Sequence, residues 1–232
     1  MSARRVFVVV LLASFAALCR VVPVRGQVIG PLLSRGTVAM GLQEQWTHRT
    51  LEDSYRTTDW EEHDLSVVVR WGATEFATLS LQGMTGSGPW QSDHEDIQAS
   101  YQVGVGLQAT VWRADDIVIT FGGQLDYKMR RYDADTGNPP VLAWTASVEL
   151  LGQLDTMWLG APVALWGGPV LSWIVADYER LPGFQNPQRY TEQSASGGVV
   201  GITVVAWRHV DVSGHLLWVE NPQPRVSILY RF

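Results

Sequence analysis

The sequence predicts an all-β fold, namely a transmembrane up-and-down antiparallel β-barrel of about ten strands, with eight strands as the alternative count. Three observations carry this prediction. Apolar and polar residues alternate with a period of two over most of the chain after residue 35. Short predicted turns alternate with long predicted loops along the chain. The polar faces of most strands consist of Gly, Ser, Thr and Gln, whereas a soluble barrel would carry a surface rich in Lys and Glu.

The composition agrees with one domain embedded in a membrane. The 232 residues suffice for a single large barrel; 46% of them are hydrophobic, 17% are charged, and 11 are Trp. These values exclude an intrinsically disordered chain and a highly charged nucleic-acid-binding protein. The formal net charge of −6 would repel a phosphate backbone, so no nucleic-acid partner is expected.

The N-terminus predicts a secretory signal peptide. Arg4 and Arg5 precede an apolar run over residues 6–18, which is too short to cross a bilayer but matches the apolar region of a signal. The only Cys, Cys19, lies inside the predicted signal peptide, so the mature chain is expected to contain no thiol and no disulfide. The expected organisation is a signal peptide over 1–26, a short periplasmic N-terminal segment over 27–35 and an outer-membrane barrel over 36–232.

The strands are placed by the alternation, which is clearest over residues 117–130. There Ile119 and Phe121 fall on one face, and Thr120 and Gln124 fall on the other. The same criterion predicts ten strands, at about 36–48, 62–72, 75–84, 97–113, 116–133, 141–153, 162–179, 189–207, 209–219 and 224–232.

The connections between these strands alternate in length. Three joins are tight, near residues 72–73, 114–115 and 208–209, and a fourth, 154–161, is of moderate length. The remaining joins are mostly longer and carry Gly, Pro, Asn and Asp, as expected for the loops on the outer side of such a barrel. A Trp accompanies each inner join, which predicts an aromatic girdle at one membrane interface: Trp71, Trp112, Trp158 and Trp207. The alternative is that these are core residues, since Trp112 and Trp207 fall on the polar face.

The last strand carries a resemblance to a known class of proteins. Phe232 is the final residue, and Val226, Ile228 and Tyr230 precede it at every second position. This pattern resembles the C-terminal insertion signal of Gram-negative outer-membrane β-barrels. The resemblance implies an outer-membrane location, with lipid, lipopolysaccharide and the barrel-assembly machinery as partners, and no cofactor. We expect the protein to be a monomer.

Charged residues on the polar face predict a charge network inside the barrel, because ionised groups facing lipid near the midplane cost about 2–4 kcal/mol for Arg or Lys. The residues of this predicted network are Arg70, Asp126, Lys128, Arg130, Glu149, Asp211, His215 and Arg231. A loop near 220–223 would place Asp211 directly opposite Arg231. Ten strands enclose little room, so the lumen is expected to be mostly filled.

Two acidic clusters fall in predicted outer loops: Asp59, Glu61, Glu62, His63 and Asp64 in the first, and Asp93, His94, Glu95 and Asp96 in the second. We interpret them as solvated loop charges, because their resemblance to the catalytic residues of the omptin proteases is poor. The predicted function is therefore a structural or surface-interaction role, or a narrow pore for small solutes, without catalysis. The alternatives are an outer-membrane enzyme, either a protease or a lipid A-modifying barrel, and a soluble secreted ligand-binding barrel.

Overall fold

The fold is taken from a computed structural model, which describes residues 32–52, 57–88, 97–132, 141–178, 188–191, 196–219 and 221–232. The predicted signal peptide and the second acidic cluster lie outside these residues. No helix in the described part is long and apolar enough to span a membrane.

The chain forms a closed antiparallel barrel of ten strands, which confirms the predicted fold class and strand count. An additional four-residue strand, β8, pairs with the outer ends of β7 and β1. The strands are β1 (Val38–Glu52), β2 (Thr57–Gly72), β3 (Ala77–Gly88), β4 (Ile97–Ala114), β5 (Ile117–Tyr132), β6 (Val141–Trp158), β7 (Ala161–Tyr178), β8 (Gln188–Thr191), β9 (Ser196–Trp207), β10 (Val210–Val219) and β11 (Asn221–Arg231). The predicted strand 189–207 is thus divided into β8 and β9.

Each barrel strand pairs with its neighbour in the chain, and the first strand closes the barrel on the last. Pairing between β1 and β11 runs from Ala39 opposite Arg231 to Gln45 opposite Arg225. Closure leaves no free sheet edge, which a bilayer requires because lipid cannot hydrogen-bond to unpaired backbone groups. The barrel wall is lowest at β10 and β11, which contain 10 and 11 residues, against 15 in β1.

One end of the barrel, the inner end, carries short turns and both ends of the described chain. β4 and β5, β6 and β7, and β9 and β10 are each joined there by two residues. The moderate join predicted over 154–161 is wrong, because β6 continues to Trp158 and the turn is Leu159–Gly160. Positive φ angles of 51° and 80° at these two residues identify a tight turn whose twist matches the flanking strands.

The outer surface of the barrel is apolar, in contrast to a soluble protein. Large side chains that point away from the lumen are roughly half exposed, among them Leu42, Val67, Leu81, Val105, Phe121, Leu150 and Ile228. Inward positions on the same strands include Ser66, Gln82, Gln108 and Thr120, which are buried. The apolar surface therefore faces lipid.

The four Trp residues near the inner turns also point outward, with exposed fractions from 47% to 61%. The alternative that they are core residues is wrong. Trp112 follows an extra residue in β4, where the register with β5 shifts, and Trp207 follows a similar shift opposite β10. Each β-bulge reverses the in–out alternation, which moves these two Trp from the polar to the apolar face.

Removal of Phe232 should lower the amount of folded barrel in the outer membrane. Its backbone N–H donates to the Val38 carbonyl at 2.8 Å, and its ring contacts Tyr230, so it completes the closing seam as well as the predicted insertion signal. The measurement is the heat-modifiable fraction on gels of membrane extracts, for the deletion and for Phe232→Ser. Phe232→Tyr is the control that keeps the aromatic ring, and an unchanged folded fraction after deletion would contradict the prediction.

Candidate functional site in the lumen

A buried ion pair crosses the lumen from β2 to β5. Lys128 Nζ lies 3.2 Å from Asp64 Oδ2, and the two side chains are 9% and 0% exposed. Gln45 Nε2 donates to the same carboxylate oxygen at 3.2 Å. Asp64 was assigned to an acidic cluster in an outer loop, and this placement is wrong because Asp64 lies inside β2 with its side chain buried in the lumen. The side chains of Asp59, Glu61 and Glu62 lie outside the described residues.

Nearer the inner end, Asp126 is held by two amides. Gln82 Nε2 donates to Asp126 Oδ1 at 2.7 Å, and Gln124 Nε2 donates to Asp126 Oδ2 at 2.8 Å. Neighbouring strands leave room for the inward carboxylates by carrying glycine. A Cβ at Gly104 would overlap the Asp126 carboxylate, and one at Gly86 would overlap the Asp64 carboxylate. The Gly-rich polar faces of the sequence are therefore the spaces in which these acids sit.

The central charges surround a cavity of about 220 Å³. It is lined by Arg70, Glu149, Asp211, His215 and Arg225, together with the Asp126 group. Arg70 interacts electrostatically with both Asp211 and Glu149, and Glu149 also interacts with Arg225. Cations and acids thus alternate around the cavity, and Arg225 belongs to this group although sequence analysis left it out.

Asp211 and Arg231 form an ion pair, with 3.0 Å between Oδ2 and Nε. The predicted register is wrong by one residue pair, because Asp211 lies opposite Leu229 and reaches Arg231 diagonally. This register error arises because the predicted loop over 220–223 is too long. β10 and β11 continue to Val219 opposite Asn221, so residues 221–223 belong to β11. Among the other predicted network residues, Arg130 pairs through its backbone with β4 and β6, and its side chain lies outside the described residues.

The other side of the lumen is apolar, which sequence analysis missed. Inward residues of β6, β7, β9 and β10 form one buried cluster: Leu151, Val170, Val199, Leu217 and Val219. Trp166 packs against this cluster, donates Nε1–H to Thr203 Oγ1 at 3.1 Å, and places its ring 5.1 Å from that of His215. The available signal was that both faces of the predicted strand 162–179 are apolar, which is typical of a strand buried on both sides.

The inner mouth is closed by the segment that precedes β1. Leu32 and Leu33 are 3% and 7% exposed, and Leu33 packs with Val68 and Leu229, which point into the lumen. The Leu33 N–H donates to Thr78 Oγ1 at 2.8 Å, also inside the barrel. We call residues 32–34 the inner plug. Together with the apolar cluster and the ion pairs, the plug narrows the lumen to this cavity, where a larger barrel has a channel.

These features define a membrane-spanning β-barrel of the outer-membrane type: a closed antiparallel wall, an apolar outer surface with Trp at its inner rim, and a polar, charged lumen.

Solved structures of such barrels resemble the chain at low identity. The translocator domain of the autotransporter NalP from Neisseria meningitidis is aligned over 99% of this chain and 96% of its own, with 12% identity and a TM-score of 0.45. Ail, the attachment invasion locus protein of Yersinia pestis, is aligned over 85% and 99%, with 10% identity and a TM-score of 0.26. Outer membrane phospholipase A from Escherichia coli is aligned over 90% and 98%, with 14% identity and a TM-score of 0.26.

No protein-family model matches the sequence. No curated protein matches it either.

Replacing Lys128 by Met should lower the free energy of unfolding by about 3–5 kcal/mol, because it leaves the buried Asp64 carboxylate without this cation. The measurement is denaturant-induced unfolding of the refolded barrel in lipid vesicles. The control is the double variant Lys128→Met with Asp64→Asn, which removes both charges and should recover a large part of the loss. Equal stability of the single variant and the wild type would contradict the assigned pair.

Proposed function

We propose that the protein is a narrow outer-membrane pore for small solutes or ions, which the inner plug closes in the conformation described above. The observation that carries this proposal is the internal cavity, around which Arg70, Glu149, Asp211 and Arg225 converge. Ionised groups of both signs next to a water-accessible space are suited to replacing the hydration of a small polar solute.

The energetic argument favours a pore over a purely structural barrel. Buried ion pairs are commonly no more stabilising than apolar residues of the same volume. The apolar cluster around Leu151 demonstrates that part of this lumen is filled with apolar residues. A barrel whose only task was stability could be filled in the same way throughout, so the charged half supports a role in which polar solutes enter the lumen.

The cellular setting belongs to the same proposal. A signal peptide over residues 1–26 would direct export, and the C-terminal pattern ending at Phe232 would be read by the barrel-assembly machinery. Lipid and lipopolysaccharide of a Gram-negative outer membrane would then surround the apolar belt. No catalytic step and no cofactor form part of the proposed function.

A structural or surface-interaction role is the second candidate. The apolar cluster favours it, because Leu151, Val170 and Leu217 fill part of the lumen with packed side chains. Conductance separates the two candidates, since a structural barrel has no pathway to open.

In planar bilayers the purified protein should show small or flickering conductance steps and no large, steady conductance. Pairing of Lys128 with Asp64 across the lumen obstructs the pathway, so replacement of Lys128 by Ala, alone or together with Arg130→Ala, should enlarge the steps. Leu125→Ala is the matched control, because this residue lies on the lipid face of the same strand, β5. A stable conductance comparable to that of a sixteen-stranded porin would overturn the filled-lumen interpretation.

Loosening the inner plug should open the pore. The double change Leu32→Ser and Leu33→Ser removes the apolar contacts with Val68 and Leu229, and we expect a several-fold rise in the fraction of time spent conducting. Ser34→Ala is the control, since it keeps the backbone of the plug and changes an exposed side chain. Single-channel recording provides the measurement. If the plug variant folds and conducts no more than the control, the structural role replaces the pore.

A further inference from the structure

The charged residues around the cavity come from strands that lie far apart in the wall. Arg70 lies on β2, Glu149 on β6 and Asp211 on β10. In the ring of ten barrel strands, three or four steps separate each of these strands from the next. Inward side chains from strands spaced in this way point toward the barrel axis. A cation and two acids therefore face the same space at the centre of the lumen.

Several polar atoms at this centre have hydrogen-bonding capacity left. Arg70 interacts electrostatically with both acids, but no hydrogen bond or ion pair joins its guanidinium to another described residue. Asp211 Oδ1 and His215 Nδ1 are buried and have no hydrogen-bond partner in the described part of the chain. Glu149 accepts a hydrogen bond from Gln108 Nε2 at the long distance of 3.4 Å. Buried polar groups are nearly always hydrogen-bonded, so these atoms indicate a polar occupant, which is water when no solute is bound.

The cavity also has an apolar side. Leu151 and Leu217 of the apolar cluster line it together with Trp166. The Trp166 ring packs against this cluster and lies 5.1 Å from the ring of His215. A Cβ at position 201 would overlap the Trp166 ring, so Gly201 leaves the room that this ring occupies. An occupant of the cavity therefore contacts charged groups on one side and apolar side chains on the other.

We propose that the cavity binds a zwitterionic α-amino acid with an apolar side chain. Arg70 holds the carboxylate with its fork of N–H donors, which matches two carboxylate oxygens. The ammonium group of the solute donates to Glu149 and Asp211, and its side chain packs against Leu151, Leu217 and Trp166. This inference names the solute class of the proposed pore and rests on it, because the solute must enter the lumen.

Other classes of small solute leave part of this site without a contact. A dicarboxylate would bring a second negative charge toward Glu149 and Asp211. An inorganic ion would satisfy groups of one sign only and would leave the apolar side unused. The cavity of about 220 Å³ equals about seven water molecules at roughly 30 Å³ each, which suits one amino acid and is too small for a peptide of several residues.

Equilibrium binding to the barrel in lipid nanodiscs tests the solute class without requiring conduction. The probes are L-leucine, 4-methylpentanoate (leucine without its ammonium group), 3-methylbutan-1-amine (leucine without its carboxylate) and glycine. Calorimetric titration should show each of the three analogues binding about ten-fold more weakly than leucine, or weaker still. The wild type and the variant with Leu32→Ser and Leu33→Ser are both titrated, so that the inner plug does not prevent entry. Leucine that fails to bind, or binds no more tightly than any one analogue, overturns the inference.

Two charge variants test the assigned contacts through the pattern of analogues. Arg70→Gln should abolish the preference for leucine over 3-methylbutan-1-amine and keep the preference over 4-methylpentanoate, and Glu149→Gln should do the reverse. Arg113→Gln is the matched control and should keep both preferences, because Arg113 is an exposed residue at the inner end of β4. Heat-modifiable migration on gels establishes that each variant is folded. Equal loss of both preferences in each variant overturns the assigned contacts.

Uptake of radiolabelled leucine into liposomes separates this inference from the proposed pore. Selective binding together with uptake supports both. Selective binding without uptake or conductance retains the amino-acid site and overturns the pore. Ion conductance in a barrel that binds leucine no more tightly than its analogues overturns the amino-acid site and retains the pore.

Discussion

The rest of the structure depends on the pairing of the first strand with the last. Lipid supplies no hydrogen-bond partners, so ten strands can cross the membrane only if every backbone donor and acceptor finds a partner in the wall. The seam from Ala39–Arg231 to Gln45–Arg225 completes that condition. Once it is closed, each residue faces either lipid or lumen, and a single alternation determines both the apolar surface and the polar interior.

Closure with ten strands also creates a filling problem, because the lumen is too narrow for a wide channel and too large to leave empty. The two halves solve it differently. On the β6–β10 side, Leu151 and its neighbours pack as in the core of a soluble protein. On the β1–β5 side, Asp64 and Asp126 lie against glycines; Lys128 pairs with Asp64, and the amides of Gln82 and Gln124 hydrogen-bond to Asp126. The inner plug occupies the inner mouth, so the cavity lies between the apolar cluster, the charged residues and the plug.

The alternation of residue types was sufficient to predict the fold class, the strand count and most strand positions, because a period of two is a direct consequence of a wall with one apolar face. It failed where the backbone leaves regular geometry. The bulges before Trp112 and Trp207 reverse the alternation, and no residue type marks them in advance. Asp64 was misplaced because the outer end of β2 carries several charged residues in succession, and such a stretch resembles a loop. The register of β10 and β11 was wrong by one pair because Asn221 and Pro222, which predicted a loop, belong to β11.

The candidate site was harder to predict than the fold because proximity inside a barrel depends on contacts across the lumen. Residues 64 and 128 come from strands that are not neighbours, and only the curvature of the wall brings them together. The charges around the cavity follow the same rule, since Arg70 on β2 interacts electrostatically with Asp211 on β10 and with Glu149 on β6. A sequence pattern indicates which face of a strand each residue occupies, whereas the pairs inside the lumen depend on how the closed wall brings distant strands together.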